Sequence, residues 1–71
     1  MQLSARNQLP GTVTSVKEGA VMAEVVVKLD GGPEVVSAIT VGSVQRLKLA
    51  AGSKVTVVIK ATEVMLATDD E

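Results

Sequence analysis

VMAEVVVKLDGGPEVVSAI, residues 21–39, carries the clearest secondary-structure signal in the sequence. From 21 to 29 every odd position is apolar, whereas Glu24 and Lys28 hold even positions. This period-two alternation predicts a strand with one buried face. The following DGGP tetrapeptide tolerates the positive φ values of a tight turn, and its proline can begin a strand but not continue a ladder. Residues 34–39 are therefore predicted to return and pair with the first strand as a hairpin.

Outside the hairpin, the period of the apolar pattern changes between Thr40 and Gly52. Val44 and Leu47 recur at helical spacing, so we expect one short helix from about Ser43 to Leu47, capped by Thr40 or Ser43. Elsewhere the alternation predicts further short strands, and the acidic end at 69–71 is expected to fray. The remaining predicted strands cover residues 2–9, 12–16, 53–60 and 62–68.

These elements together predict an all-β protein. Five or six short strands and one brief helix in so short a chain are typical of a small OB-like five-stranded barrel, because closing the sheet removes exposed edges. The 71 residues form a single domain, near the size at which one core leaves little stability. None of the hydrophobic 46% is aromatic, and without cysteine or histidine the chain lacks disulfides and a structural zinc site. Oligomerisation is the remaining source of stability.

The absence of histidine, cysteine and aromatic residues also excludes several classes of function. Without histidine or cysteine, nucleophilic triads and an ordinary transition-metal site are excluded, so we expect neither catalysis nor a bare metal cation. A pI of about 5.3 and the lack of aromatic side chains argue against nucleic acid. No apolar run approaches the roughly 20 residues that cross a bilayer, and no leader precedes the domain, so we expect a cytoplasmic protein without a membrane partner.

Ser4 and Arg6 suggest what the domain binds. In an extended segment the two side chains project from one face, opposite Ala5 and Leu9. A guanidinium fork and a hydroxyl suit an oxygen-rich anion, since they offer donors to atoms that only accept. Further hydroxyl and ammonium donors at Thr40, Ser43 and Lys60 fit the same chemistry.

A set of short motifs runs along nearly the whole chain. They are SARNQL at 4–9, Gly11, AEV at 23–25, SAIT at 37–40, Ser43, Val44, Leu47, Gly52 and IKATEVML at 59–66. In these residues and their order, the sequence resembles the molybdate-binding Mop family, the molbindins. No Walker-type phosphate loop or DNA-binding segment accompanies them.

The resemblance implies a homo-hexamer, a trimer of dimers in which the N-terminal strand can be exchanged between subunits. Molybdate or tungstate binds at the subunit interfaces of such assemblies, which implies a role in intracellular molybdenum storage or homeostasis. A second site near the symmetry axis would use main-chain groups of Gly19, Ala20 and Val21. The resemblance places the first oxyanion site at Ser4, Ala5, Arg6, Asn7, Thr40, Ser43, Lys60 and Ala61, where some family members have serine in place of Ala61.

Other interpretations of these residues stay open. Arg6 also fits a solvated rim position, Lys60 the guard of a sheet edge, and Thr40 and Ser43 simple helix caps. For the whole domain the alternatives are a structural oligomerisation module, which no oxyanion would stabilise, and a nucleic-acid-binding OB-type module, which single-stranded oligonucleotide would retain at low salt.

Overall fold

The computed structural model describes residues 1–69 of the chain. In chain order the elements of residues 1–69 are β1 (Asn7–Glu18), β2 (Met22–Leu29), β3 (Glu34–Thr40), α1 (Val41–Leu47), β4 (Lys54–Ile59) and a 3-10 turn (Ala61–Glu63). The four strands form one antiparallel sheet in the order β3-β2-β1-β4, and α1 connects β3 to β4 along the chain.

The predicted hairpin forms as the alternation indicates. In β2, Ala23, Val25 and Val27 are buried, and β2 pairs with β3 from Met22 opposite Thr40 to Lys28 opposite Glu34. Val21, the first apolar position of the pattern, is not buried as predicted, because it lies in the turn before β2 and is 68% exposed. These buried residues form the core with Val13 of β1 and Val44 of α1.

Strand β1 is longer than predicted and joins both halves of the sheet. The predicted strand at 2–9 is wrong for residues 2–6, which lie before the first strand and make no ladder; its remainder and the predicted strand at 12–16 form one element. The first half of β1 pairs with β4 and the second half with β2. Gly11 makes this possible, because a Cβ there would lie 2.7 Å from the carbonyl oxygen of Lys28. A bulge between Val13 and Ser15 bends the strand where its partners change.

The helix is confirmed, with an earlier start. It begins at Val41 because Thr40 is the N-cap, accepting a hydrogen bond from the backbone N–H of Ser43 at 3.0 Å. Lys48 ends it in the left-handed region, at φ 55°.

The predicted strand at 62–68 is wrong for the single chain, and residues 1–69 contain four strands rather than five. A 3-10 turn occupies its start, and residues 64–69 have no regular structure and are exposed. A β-strand requires backbone hydrogen bonds to a neighbouring strand, and none of the four strands pairs with this segment. In the single chain β1 pairs with β2 and β4, and the exchange of the N-terminal strand between subunits stays a prediction.

Candidate functional site

A cleft of about 380 Å³ lies where the chain enters β1 and leaves β4. Five of the eight residues predicted for the oxyanion site line it together with Thr62, which the sequence analysis did not select. The lining residues are Ser4, Ala5, Arg6, Lys60, Ala61 and Thr62.

Strand pairing explains why these two segments meet. The β1–β4 ladder ends with Asn7 opposite Ile59, so the residues just before Asn7 and just after Ile59 emerge at the same end of the sheet. Asn7, predicted as a ligand, lies outside the cleft lining, and its side-chain amide nitrogen donates a hydrogen bond of 3.1 Å to the carbonyl oxygen of Ile59. Asn7 thereby joins the two segments that carry the cleft.

The cleft is rich in donors and lacks carboxylates. Arg6 brings a guanidinium, Lys60 an ammonium, and Ser4 and Thr62 a hydroxyl each. All four side chains are exposed, and the side-chain hydrogen bonds within residues 1–69 involve none of them. Two positive charges and two hydroxyls suit a multiply charged anion whose oxygens accept hydrogen bonds.

Thr40 and Ser43 form a separate group at the start of α1. Besides capping the helix, the Thr40 hydroxyl donates to Oγ of Ser43 at 2.8 Å, and Nη2 of Arg46 lies 3.4 Å from the same oxygen. The capping interpretation of Thr40 is thus confirmed, while a ligand role for Thr40 and Ser43 stays a prediction.

This group lies far from the cleft within one chain. Thr40 pairs with Met22 beside the last residues of β1, whereas the cleft lies before its first residue. The 12 residues of β1 separate the two ends. At about 3.3 Å per residue, the contour of such a strand approaches 40 Å. One chain therefore does not assemble all the predicted ligands around one anion.

The residues predicted for a second site occupy the turn between β1 and β2, next to the helix start. The Gly19 amide donates to the Met22 carbonyl at 2.8 Å, and the Val21 carbonyl accepts from the Val41 amide at 2.8 Å. The Gly19 N–H is therefore already used, which leaves the amides of Ala20 and Val21 as the main-chain donors of this turn.

Thr62 was missed because residues 62–68 were assigned to a strand. Its hydroxyl follows Lys60 by two residues within the quoted IKATEVML segment, so the signal was present in the sequence. The 3-10 turn over Ala61–Glu63 brings it to the cleft instead of into a sheet.

Comparison with known proteins places this chain in a family. The TOBE domain family matches residues 3–66, nearly the whole chain. The chain belongs to the TOBE domain family. Within it, the chain is 48% identical over 66 residues to molybdenum-pterin-binding protein 3 of Clostridium pasteurianum, covering 93% of this chain and 97% of that protein. The resemblance to the Mop family is thereby confirmed.

Solved structures of relatives agree in fold with this TOBE domain. MopII from Clostridium pasteurianum is 43% identical with a TM-score of 0.89, over 94% of this chain and all of that one. A molybdate-binding protein from Sporomusa ovata is 44% identical with a TM-score of 0.90, over 96% of this chain and all of that one. The similarity confirms the OB-like fold class predicted from the strand pattern.

A third structure is a longer protein. The cytoplasmic molybdate-binding protein ModG, solved with molybdate bound, is 49% identical with a TM-score of 0.83. The match covers 86% of this chain and 43% of ModG.

The helices within residues 1–69 are too short to span a membrane.

Proposed function

We propose that this protein binds molybdate through the cleft formed by Ser4, Arg6, Lys60 and Thr62. The observation that carries the proposal is the convergence of two cationic and two hydroxyl side chains, with no carboxylate, at one end of the β1–β4 ladder. The molybdate-binding proteins among its structural relatives support the choice of anion.

The side-chain donors of the cleft are sufficient for micromolar binding of a dianion. Each hydrogen bond to a charged group contributes very roughly 1.5–3 kcal/mol net. Micromolar binding requires about 8 kcal/mol, so a tetrahedral dianion needs several such bonds after the ordering cost is subtracted. Tungstate has the same charge and nearly the same size, and it is proposed as an alternative ligand of the same cleft.

We place the complete site between copies of the chain. The cleft residues are all exposed except Ala5, and the hydroxyls of Thr40 and Ser43 lie at the other end of β1. A site that uses both groups requires a second copy, which agrees with the hexamer, a trimer of dimers, implied by the family resemblance. The second site at Ala20 and Val21, with Gly19, is proposed as a further main-chain site in that assembly.

The proposed role is binding rather than catalysis, in storage or homeostasis of molybdenum in the cytoplasm. The names of the relatives support a binding role, and the description of ModG as cytoplasmic supports the compartment. The proposal includes no nucleic-acid or membrane partner.

Calorimetric titration of the purified protein with molybdate, tungstate and sulfate at one ionic strength tests this function. We expect molybdate and tungstate to bind well ahead of the smaller sulfate, with weak dependence on salt because the completed site is shielded from solvent. Absence of heat with all three anions would favour the structural oligomerisation module, and retention on single-stranded oligonucleotide at low salt would favour the nucleic-acid-binding module.

A further inference from the structure

Arg46 is a cation that takes part in a side-chain hydrogen-bond network outside the cleft. Its Nη2 donates to Oγ of Ser43 at 3.4 Å, and the Thr40 hydroxyl donates to the same oxygen at 2.8 Å. Ser43 is partly buried, whereas Thr40 and Arg46 are exposed. Residues three apart lie on one face of a helix, so Arg46 reaches back over one turn to Ser43.

The Ser43 hydroxyl has no capacity left to accept another hydrogen bond. A hydroxyl carries one proton and two lone pairs, and the two lone pairs of Ser43 receive the Thr40 hydroxyl and the Arg46 guanidinium. The Ser43 proton has no acceptor among the side-chain hydrogen bonds of residues 1–69. Ser43 therefore presents only a donor to a bound molecule.

Arg46 is the residue that makes Ser43 a donor only. Without the guanidinium, one lone pair of Ser43 would be free, and the hydroxyl could accept as well as donate. The nearby positive charge also polarises the Ser43 O–H, which strengthens the bond from its proton to a negatively charged acceptor. Because a guanidinium has no acceptor atom and keeps its proton, this effect is present throughout the neutral pH range.

We infer that Arg46 is a positioning residue that keeps the Ser43 hydroxyl a donor and thereby selects anions that carry no proton. The inference rests on the proposed function, because it takes Ser43 as one of the ligands of the completed site. Molybdate, tungstate and sulfate accept hydrogen bonds at every oxygen, whereas hydrogen phosphate has one O–H that requires an acceptor. Ser43 cannot supply that acceptor, and an unpaired polar group is costly in a site shielded from water.

Sulfate and inorganic phosphate are the probes that test this selection. At about pH 8, above the second pKa of phosphate, both are tetrahedral dianions of nearly equal size, and they differ by one proton. Their affinities for the full chain are measured by displacement of bound molybdate. We expect the wild type to bind sulfate ahead of hydrogen phosphate.

Arg46→Ala should lower this preference. We expect the ratio of sulfate to phosphate affinity to fall by about two- to tenfold, the contribution of one ordinary hydrogen bond. Arg46→Lys should restore most of the ratio, because an ammonium also donates to Ser43. A loss of structure or of charge alone would weaken the two dianions by the same factor and leave the ratio unchanged.

Two controls separate positioning from other effects. Lys28→Ala also removes a positive charge, but Lys28 pairs with Glu34 at the opposite end of the β2–β3 ladder from Thr40, so the ratio should not change. In a Ser43→Ala background, Arg46→Ala should have no further effect on the ratio. The melting temperature of Arg46→Ala without anion should stay close to that of the wild type, since the Thr40 cap is kept.

The ratio decides the inference. An unchanged ratio in Arg46→Ala would overturn the role of Arg46 while leaving molybdate binding intact. The same fall in the ratio with and without the Ser43 hydroxyl would also overturn it, because Arg46 would then act on the anion by another route. A wild-type protein that binds no molybdate would instead overturn the proposed function, and this inference with it.

Discussion

The side-chain amide nitrogen of Asn7 lies 3.1 Å from the carbonyl oxygen of Ile59 and donates a hydrogen bond to it. The two residues form the last pair of the β1–β4 ladder. Arg6 directly precedes Asn7, and Lys60 directly follows Ile59. The relative position of the two cations in the cleft therefore depends on this partly buried contact. In the single chain Asn7 supports the cleft through this hydrogen bond, and its role as a direct ligand stays a prediction.

Asn7→Ala tests that role. Loss of the hydrogen bond should lower the free energy of unfolding by about 1 kcal/mol and weaken molybdate binding, because the two cleft segments separate. Gln8→Ala is the control, since the Gln8 side chain bonds only locally, to the carbonyl of Ala5. Urea unfolding and molybdate titration of both variants measure the difference, and equal binding by the two would remove Asn7 from the support of the cleft.

Gly11→Ala should be strongly destabilising. A Cβ at Gly11 meets the Lys28 carbonyl oxygen and Cγ1 of Val27, both at 2.7 Å, so β1 and β2 must move apart. Overpacking of this kind costs typically about 1–3 kcal/mol. At Gly31 the nearest atom is 3.9 Å away, and Gly31→Ala should leave the melting temperature nearly unchanged. Similar melting temperatures for the two variants would show that the close approach at Gly11 is not needed.

Thr40→Ala separates capping from ligand binding. Without the Thr40 hydroxyl, the Ser43 amide loses its partner, and the apo protein should lose about 1 kcal/mol of stability. Thr40→Ser keeps the cap and should retain most of that stability. If Thr40 also contacts the anion, Thr40→Ala weakens molybdate binding beyond its effect on apo stability. A stability loss with unchanged affinity would confine Thr40 to its capping role.

Much of the fold followed from local pattern. The alternation at 21–29, the DGGP turn and the helix with its Thr40 cap are determined by neighbouring residues, so they were predictable. The segment at 62–68 was not, because a short apolar run is compatible with a strand, whereas none of the four strands of residues 1–69 pairs with it.

Part of the candidate site could also be predicted from the sequence. The family resemblance grouped Arg6 and Lys60 in one site. They converge because Asn7 pairs with Ile59 at the end of the β1–β4 ladder, a pairing that was not predicted. The distance between that cleft and Thr40 was not accessible from sequence, because it depends on the length and bend of β1. Thr62 was overlooked since its turn was read as strand.

Thr62→Val tests whether the Thr62 hydroxyl, which lines the cleft, binds the anion. Valine keeps the shape of threonine but removes the hydroxyl, so one hydrogen bond to a charged anion is lost. This should cost about 1.5–3 kcal/mol, tenfold or more in molybdate affinity. Thr14→Val is a control of the same chemistry, since Thr14 lies at the β1 bulge and bonds to the Val26 carbonyl. A Thr62→Val protein that binds like Thr14→Val would exclude Thr62 as a ligand.

Arg6 is the residue on which the proposed function most depends. Its guanidinium is exposed in the single chain and lines the cleft beside Lys60. Replacing it with alanine removes a charge and a two-donor fork, whereas lysine restores only the charge. Folding and assembly without ligand should survive Arg6→Ala, because that substitution removes repulsion between cations that share an empty site, and should also survive Arg6→Lys, which leaves the charge unchanged.

Calorimetric titration of molybdate into wild type, Arg6→Ala, Arg6→Lys and Lys28→Ala is the most direct test of the account. Lys28 lies on β2 away from the cleft, so its loss controls for a general change in charge. We expect Arg6→Ala to lose roughly 2–4 kcal/mol of binding, a factor of about thirty to many hundreds, with partial recovery in Arg6→Lys and little change in Lys28→Ala. An Arg6→Ala protein that binds molybdate within about twofold of wild type would contradict the assignment of the cleft as the oxyanion site.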